Sequence, residues 1–229
     1  MDTIEVVTGP DPTASVIWLH GLGADGHDFV PIVHELDLAG LPGVRFVFPH
    51  APEVPVTING GMVMRAWYDI LGVDLARRED EVGLRRSRQR IEELIAAENA
   101  RGIADSRIVL AGFSQGAAMT LLTGLRHADA LAGLMCLSGY LPLAAHTEAE
   151  RHTANAKTPI FMAHGQLDPV IPIARALDSA RALTALGYAV EWHDYRMPHS
   201  VCPEEVADIS GWLRKVLSAQ EAHAADSRP

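Results

Sequence analysis

The chain is poor in cysteine. Cys136 and Cys202 are its two thiols in 229 residues. That excludes a disulfide-stapled scaffold, and without an export signal the pair is expected to stay free. Lysine is also scarce, with only Lys157 and Lys215, so no lysine-bearing phosphate loop can be written. The densest basic run, Arg85-Arg86-Ser87-Arg88-Gln89-Arg90, lies among acids and reads as a solvated helix face. With a net charge of -10 the surface repels phosphate backbones, so nucleic acid is not an expected partner. Long hydrophobic runs are missing. The nearest, residues 130–145, is broken by Gly133, Ser138, Gly139 and Pro142, so no membrane span or stable anchor is expected. Met1-Asp2-Thr3-Ile4-Glu5 has neither a basic nor an apolar leader segment, which points to a cytoplasmic protein. The 11 histidines include no His-x-x-x-His pair beside a glutamate on a helix, and the two cysteines are far apart, so no metal is expected. No internal repeat is visible.

What is present is alternation. Short apolar runs rich in β-branched residues recur at 4–7, 15–19, 44–48, 107–111, 130–138, 159–163 and 188–195, and they read as strands. Helical spacing fills 28–36, 80–100, 117–125, 173–186 and 204–217. Strands alternating with helices predict an α/β fold, a mostly parallel sheet with helices on both faces. The length suits one domain over residues 1–217, with a polar tail at 218–229 expected to fray. Three stretches resist regular structure. Residues 49–69 open with Pro49, Pro52 and Pro55 and carry Ile58, Met62, Met64, Trp67 and Tyr68. They read as an irregular loop and one wall of a substrate cleft, or else as a satellite cluster over a sheet edge. Residues 71–80 read as a polar surface linker, and 143–158 has no clear assignment.

Gly112-Phe113-Ser114-Gln115-Gly116 joins a strand run to a helix run. A serine in so sharp a turn is held in a strained conformation, and the flanking glycines relieve crowding against neighbouring elements. The turn exposes the Ser114 hydroxyl and leaves the Gln115 N–H at a helix N-terminus, where negative charge is favoured. This is the nucleophile elbow of α/β-hydrolases. His20-Gly21-Leu22-Gly23-Ala24-Asp25-Gly26 follows another buried strand. It does not complete a dinucleotide fingerprint, but its Leu22 N–H can face that of Gln115 across a carbonyl oxygen.

A serine hydroxyl needs a base, and the base needs an orienting acid. In this fold both follow the serine in sequence, each just past the carboxyl end of a strand. Asp168 follows the 159–163 strand and His199 follows the 188–195 strand. The expected triad is therefore Ser114, His199 and Asp168. His193 and Asp194 lie within a strand, His50 sits in a proline turn, and His20 and His164 read as structural. Cys136 reads as an inert buried thiol.

With these stretches in view, the sequence resembles the carboxylesterase and acyl-protein thioesterase family of α/β-hydrolases, in its bacterial carboxylesterase branch. The likeness spans residues 16–217. It rests on Leu19-His20-Gly21-Leu22-Gly23, Phe48-Pro49-His50-Ala51-Pro52, Ile58-Asn59-Gly60-Gly61-Met62, Trp67-Tyr68-Asp69, Gly112-Phe113-Ser114-Gln115-Gly116-Ala117, Leu137-Ser138-Gly139-Tyr140-Leu141-Pro142, His164-Gly165-Gln166-Leu167-Asp168-Pro169-Val170 and Met197-Pro198-His199-Ser200. The resemblance implies the same triad, the Leu22 and Gln115 oxyanion donors, and ester hydrolysis without a cofactor. Ala117 stands where the thioesterase branch tends to carry glycine. The expected function is hydrolysis of carboxylic esters with small to medium acyl chains. Ile58, Met64, Trp67, Leu141 and Val170 are expected to line the acyl site. The alternatives are an acyl-protein thioesterase or lysophospholipase acting on long chains, a lactone hydrolase, and a non-catalytic relative that binds a ligand or partner. Family analogy alone allows a homodimer.

Overall fold

The computed structural model describes residues 1–72 and 79–226, with side chains as far as residue 218. Seven strands form one sheet in the order β1-β3-β2-β6-β7-β8-β9. They are β1 (Thr3–Val7), β2 (Ala14–Leu19), β3 (Val44–Pro49), β6 (Ile108–Phe113), β7 (Gly133–Leu137), β8 (Ile160–Gly165) and β9 (Val190–Tyr195). Within this sheet the pair β1–β3 is antiparallel and every other pairing is parallel.

Parallel strands need crossovers that cover both faces, and the strand sequences alternate accordingly. Ile17, Leu19, Leu110 and Cys136 point to one face. They pack under α1 (Glu81–Ala100), α2 (Gln115–Gly124) and α4 (Ile173–Ala185) through Leu84, Ile91, Ile95, Leu121 and Leu183. Val16, Trp18, Val109, Ala111 and Phe161 point to the other. There α5 (Pro203–Asp226) brings Val206, Ile209, Trp212 and Leu213, and the 30–36 stretch brings Ile32, Val33 and Leu36. Asp80 caps α1 by accepting the Gly83 N–H at 2.9 Å.

Three expectations need correction. Residues 28–36 do not form an α-helix; they contain only a 3-10 helix, Val30–His34. Pro31 has no N–H to give, and most of the bonds that form, such as Ile32 N–H to Phe29 O and Glu35 N–H to Ile32 O, span three residues, with Leu36 N–H to Ile32 O spanning four. The 49–69 stretch is not irregular. It holds an antiparallel hairpin of β4 (Glu53–Val56) and β5 (Met62–Arg65). Pro55 is tolerated because Ala66 N–H binds Pro52 O, which puts the hydrogen-bonded pairs on even-numbered β4 residues and the missing donor on the outer edge. The closing helix runs past residue 217 to Asp226. The unassigned 143–158 stretch contains α3 (Ala144–Glu150) and a 3-10 turn, Thr153–Asn155. Most of the expected 71–80 linker lies outside the described residues.

Candidate active site

The elbow is built as its residues require. Ser114 sits at φ 56°, ψ -116°, between the end of β6 and the start of α2. Positive φ is costly for a side-chain-bearing residue, and the surroundings hold it there. Ser114 N–H donates to Leu137 O on β7 at 2.9 Å, and Ala118 N–H donates to Ser114 O at 3.2 Å. A Cβ on Gly112 would strike the Gly116 carbonyl, and one on Gly116 would strike the Leu19 carbonyl of β2. Both glycines are thus required by close backbone approach.

The parallel register brings the other two expected residues to the same sheet edge. His199 Nε2 lies 2.9 Å from Ser114 Oγ, and His199 Nδ1 lies 2.6 Å from Asp168 Oδ2. The Asp168 side chain is fully buried. Its Oδ1 accepts the Val170 and Ile171 N–H groups at 2.8 and 2.9 Å, so the carboxylate is fixed from both sides. The loops carrying acid and base are laced together, with Leu167 N–H on Met197 O at 3.1 Å and Gln166 N–H on Tyr195 O at 2.8 Å. The His199 ring packs on Phe113, centroids 4.8 Å apart. A hydroxyl held against an imidazole whose far nitrogen faces a buried carboxylate is set to lose its proton as it attacks a carbonyl.

His164 and His20 sit where structural histidines would. His164 is buried; its Nε2 donates to Ile171 O at 2.8 Å and lies 3.3 Å from Asp168 Oδ2. Burial lowers its pKa. His20 Nδ1 donates to Gly21 O at 2.7 Å, and Nε2 accepts the Ala51 N–H at 3.0 Å. Burial likewise lowers its pKa, which suits that neutral form. Gly21 lies against Ser114, because a Cβ built on it would be 3.4 Å from the serine Cβ. Leu22 is the next residue along this loop. Gln115 opens α2, so its N–H is one of those a helix leaves without an internal partner.

The five expected acyl-site residues divide. Ile58 and Val170 are exposed, Met64 is partly so, and the Met64 sulfur lies 3.7 Å from a Cβ built on Gly23. Trp67 is buried, and its indole N–H is spent on His20 O at 2.8 Å. It is a post inside the protein rather than a cleft wall. Leu141 is buried too. It faces a cavity of about 510 Å³ shared with Leu143, Arg175 and Ser179, which no triad residue lines. Sequence reasoning missed the Gln115 side chain. Its carbonyl accepts Trp67 N–H at 2.9 Å and its amide donates to Tyr68 O at 2.8 Å. Nothing local signals contacts across so long a stretch of chain. The sequence also gave no sign of a group formed by Asp105, His127 and Asp129. Its imidazole already bridges Glu92 at 2.6 Å and Asp105 at 2.8 Å. Among the described residues no helix is long and apolar enough to cross a membrane.

Comparison with known proteins gives a consistent picture. The model of the phospholipase/carboxylesterase family matches residues 1–217. Acyl-protein thioesterase 1 of Mycosarcoma maydis is 42% identical over 228 residues, covering 93% of this chain and 95% of that protein. The crystal structure of Zea mays acyl-protein thioesterase 2 superposes with a TM-score of 0.82 at 28% identity, covering 93% and 99% of the two chains. That of Arabidopsis thaliana SOBER1 gives 0.84 at 29%, covering 89% and 99%. Acyl-protein thioesterase 1 of Gibberella zeae is likewise 42% identical, and these two relatives are fungal thioesterases by name, not the bacterial carboxylesterases that the resemblance led us to expect. With an α/β-hydrolase sheet, an elbow serine and a family match over nearly its whole length, the chain belongs to the phospholipase/carboxylesterase family of serine hydrolases.

Proposed function

We propose that the protein hydrolyses acyl thioesters and esters through an acyl-enzyme on Ser114, as an acyl-protein thioesterase would. The observation that carries this reading is the unbroken hydrogen-bonded chain from Ser114 Oγ through His199 to Asp168. The names of the similar fungal and plant proteins favour a thioester over a small ester. Ser114 attacks the acyl carbonyl while His199 Nε2 takes its proton. The Leu22 and Gln115 N–H groups stabilise the oxyanion. His199 then protonates the departing thiolate or alkoxide, and water attacks the acyl-enzyme by the same route. Asp168 holds the imidazole tautomer and stabilises the imidazolium. Ala117 does not disturb this chemistry; its methyl is buried and packs toward Gly139.

The acyl chain lies along the exposed apolar edge of the hairpin and the loop after β8. Met62, Val63 and Val170 are each about 60% or more exposed, and Ile58 is exposed as well. We assign no cofactor to the reaction and place the protein in the cytoplasm.

The test is hydrolysis of acyl thioesters and aryl esters of increasing chain length, wild type beside Ser114→Ala. Loss of the triad serine is expected to lower kcat by on the order of 10⁶-fold. A fluorophosphonate is expected to add its mass to wild type and not to the variant. Activity that survives Ser114→Ala ends the proposal. A kcat/KM that falls steadily beyond short esters returns the small-ester carboxylesterase reading to first place.

A further inference from the structure

One short segment touches both sides of the serine. Trp67 donates its indole N–H to His20 O at 2.8 Å, and Arg65 O accepts the Gly23 N–H at 2.8 Å. These two bonds flank Leu22. The Gly21–Leu22 peptide between them is oriented by His20, whose Nδ1–H holds Gly21 O at 2.7 Å. A peptide is planar and trans, so fixing its carbonyl fixes the direction of the Leu22 N–H on the opposite side. The other donor is tied to the same segment. The Gln115 amide accepts from Trp67 N–H at 2.9 Å and donates to Tyr68 O at 2.8 Å, closing a two-bond clasp on the backbone of residues 67 and 68. The segment is in turn anchored from outside. Ser87 of α1 donates to Trp67 O, Arg65 Nη1 donates to Ala51 O at 2.8 Å, and the Tyr68 and Tyr140 hydroxyls meet at 2.9 Å. Trp67, Gln115, His20 and Tyr68 are all buried, so these bonds meet no competition from water.

We propose that residues 65–68 are a brace that sets the spacing and direction of the Leu22 and Gln115 N–H groups, with Trp67 and the Gln115 side chain as its positioning residues. The brace continues directly from β5. A displacement of the β4–β5 hairpin by an acyl chain is therefore transmitted to both oxyanion donors. The hairpin thus tunes the rate of acyl transfer as well as binding the chain. The proposal rests on the acyl-transfer reading of Ser114 given above.

Oxyanion donors act on the tetrahedral state and not on the bound substrate. Trp67→Phe removes one N–H and keeps an aromatic ring. It is expected to lower kcat about 10- to 100-fold, the scale of a small misplacement of catalytic groups, with KM changed less than about twofold, as for loss of an interaction made only in the transition state. Affinity for an alkylboronic acid, which takes up the serine oxygen as a tetrahedral anion, falls by the same factor. Gln115→Met removes the clasp from the other side and is expected to do the same. If both variants fold with kcat and boronate affinity intact, Trp67 is only a core post and the brace is wrong. A change confined to KM overturns it equally. If neither variant folds, wild type decides: boronate binding is expected to shift the Trp67 indole proton resonance, and an unmoved resonance sinks the proposal. Wild type that neither hydrolyses esters nor binds boronate overturns the acyl-transfer reading, an outcome distinct from failure of the brace alone.

Discussion

At the scale of single residues, the catalytic groups are held by geometry and the departures from ordinary chemistry lie beside them. Burial pushes the Cys136 thiol up to about 12, which removes it as a nucleophile near neutrality. Glu205 is the more consequential case. It lies fully buried in the first turn of α5, six residues past His199, and burial pushes its carboxyl from an ordinary 4.5 up to about 8. In the folded protein it keeps its proton at neutral pH, whereas the unfolded chain releases it. The linkage has a definite sign. Below pH 4.5 both states are protonated and Glu205 adds no pH-dependent cost; from there to about pH 8 that cost grows, and above that it is constant. Each pH unit in that window weakens folding by up to about 1.4 kcal/mol. Glu205→Gln removes the titration. Its melting temperature is therefore expected to rise relative to wild type between pH 5 and pH 8, by about 4 °C or more at the upper end for a domain of this size. A difference between the two proteins that stays the same at every pH would show that Glu205 ionises normally.

Elements are where sequence and structure part company, and the reasons are physical. The strands were legible because a parallel sheet buried on both faces needs continuous apolar runs, and Ser15-Val16-Ile17-Trp18-Leu19 is such a run. His199 and Asp168 could be placed because chain order and strand ends are themselves fixed by that sheet. The β4–β5 hairpin was not legible. Proline normally argues against a strand, and only the two-stranded register shows that Pro55 faces outward. Trp67 was misplaced for a related reason: aromatic content says that a loop is ordered, not which way an indole points. Contacts between elements were equally hidden. His127, in the connection after α2, bridges Glu92 of α1 and Asp105 of the turn before β6. Burial alone would lower its pKa, but the two carboxylates outweigh burial and raise it above 6.5. The stabilisation is fully present below that value and is lost as pH rises through the raised folded value. Replacing the residue, as in His127→Gln, is therefore expected to cost most stability near pH 5.5 and least near pH 9, read as the gap in melting temperature from wild type. A gap that does not narrow with rising pH would mean that the imidazole is not charged in the folded state.

Across the whole molecule, the sheet gathers the ends of β2, β6, β8 and β9 at one edge, and every residue of the proposed chemistry hangs from those ends. The chain as a whole carries a net charge of -10. A net charge acts beyond pairwise contacts, raising the local concentration of oppositely charged substrates and lowering that of like-charged ones. The triad carries out the same bond changes whatever the remote charge of the substrate, so the field should appear in encounter and not in kcat. Salt separates the two effects, because the screening length shortens from about 30 Å at 0.01 M to about 8 Å at 0.15 M. For a matched set of esters differing only in a remote group, kcat/KM is expected to fall with added salt when that group is a quaternary ammonium. It is expected to rise when the group is a carboxylate, and to stay level when the group is neutral, with kcat unchanged in all three. A parallel response of the three esters would place the negative charge away from the approach to Ser114. Selection of substrate would then belong to the apolar hairpin alone.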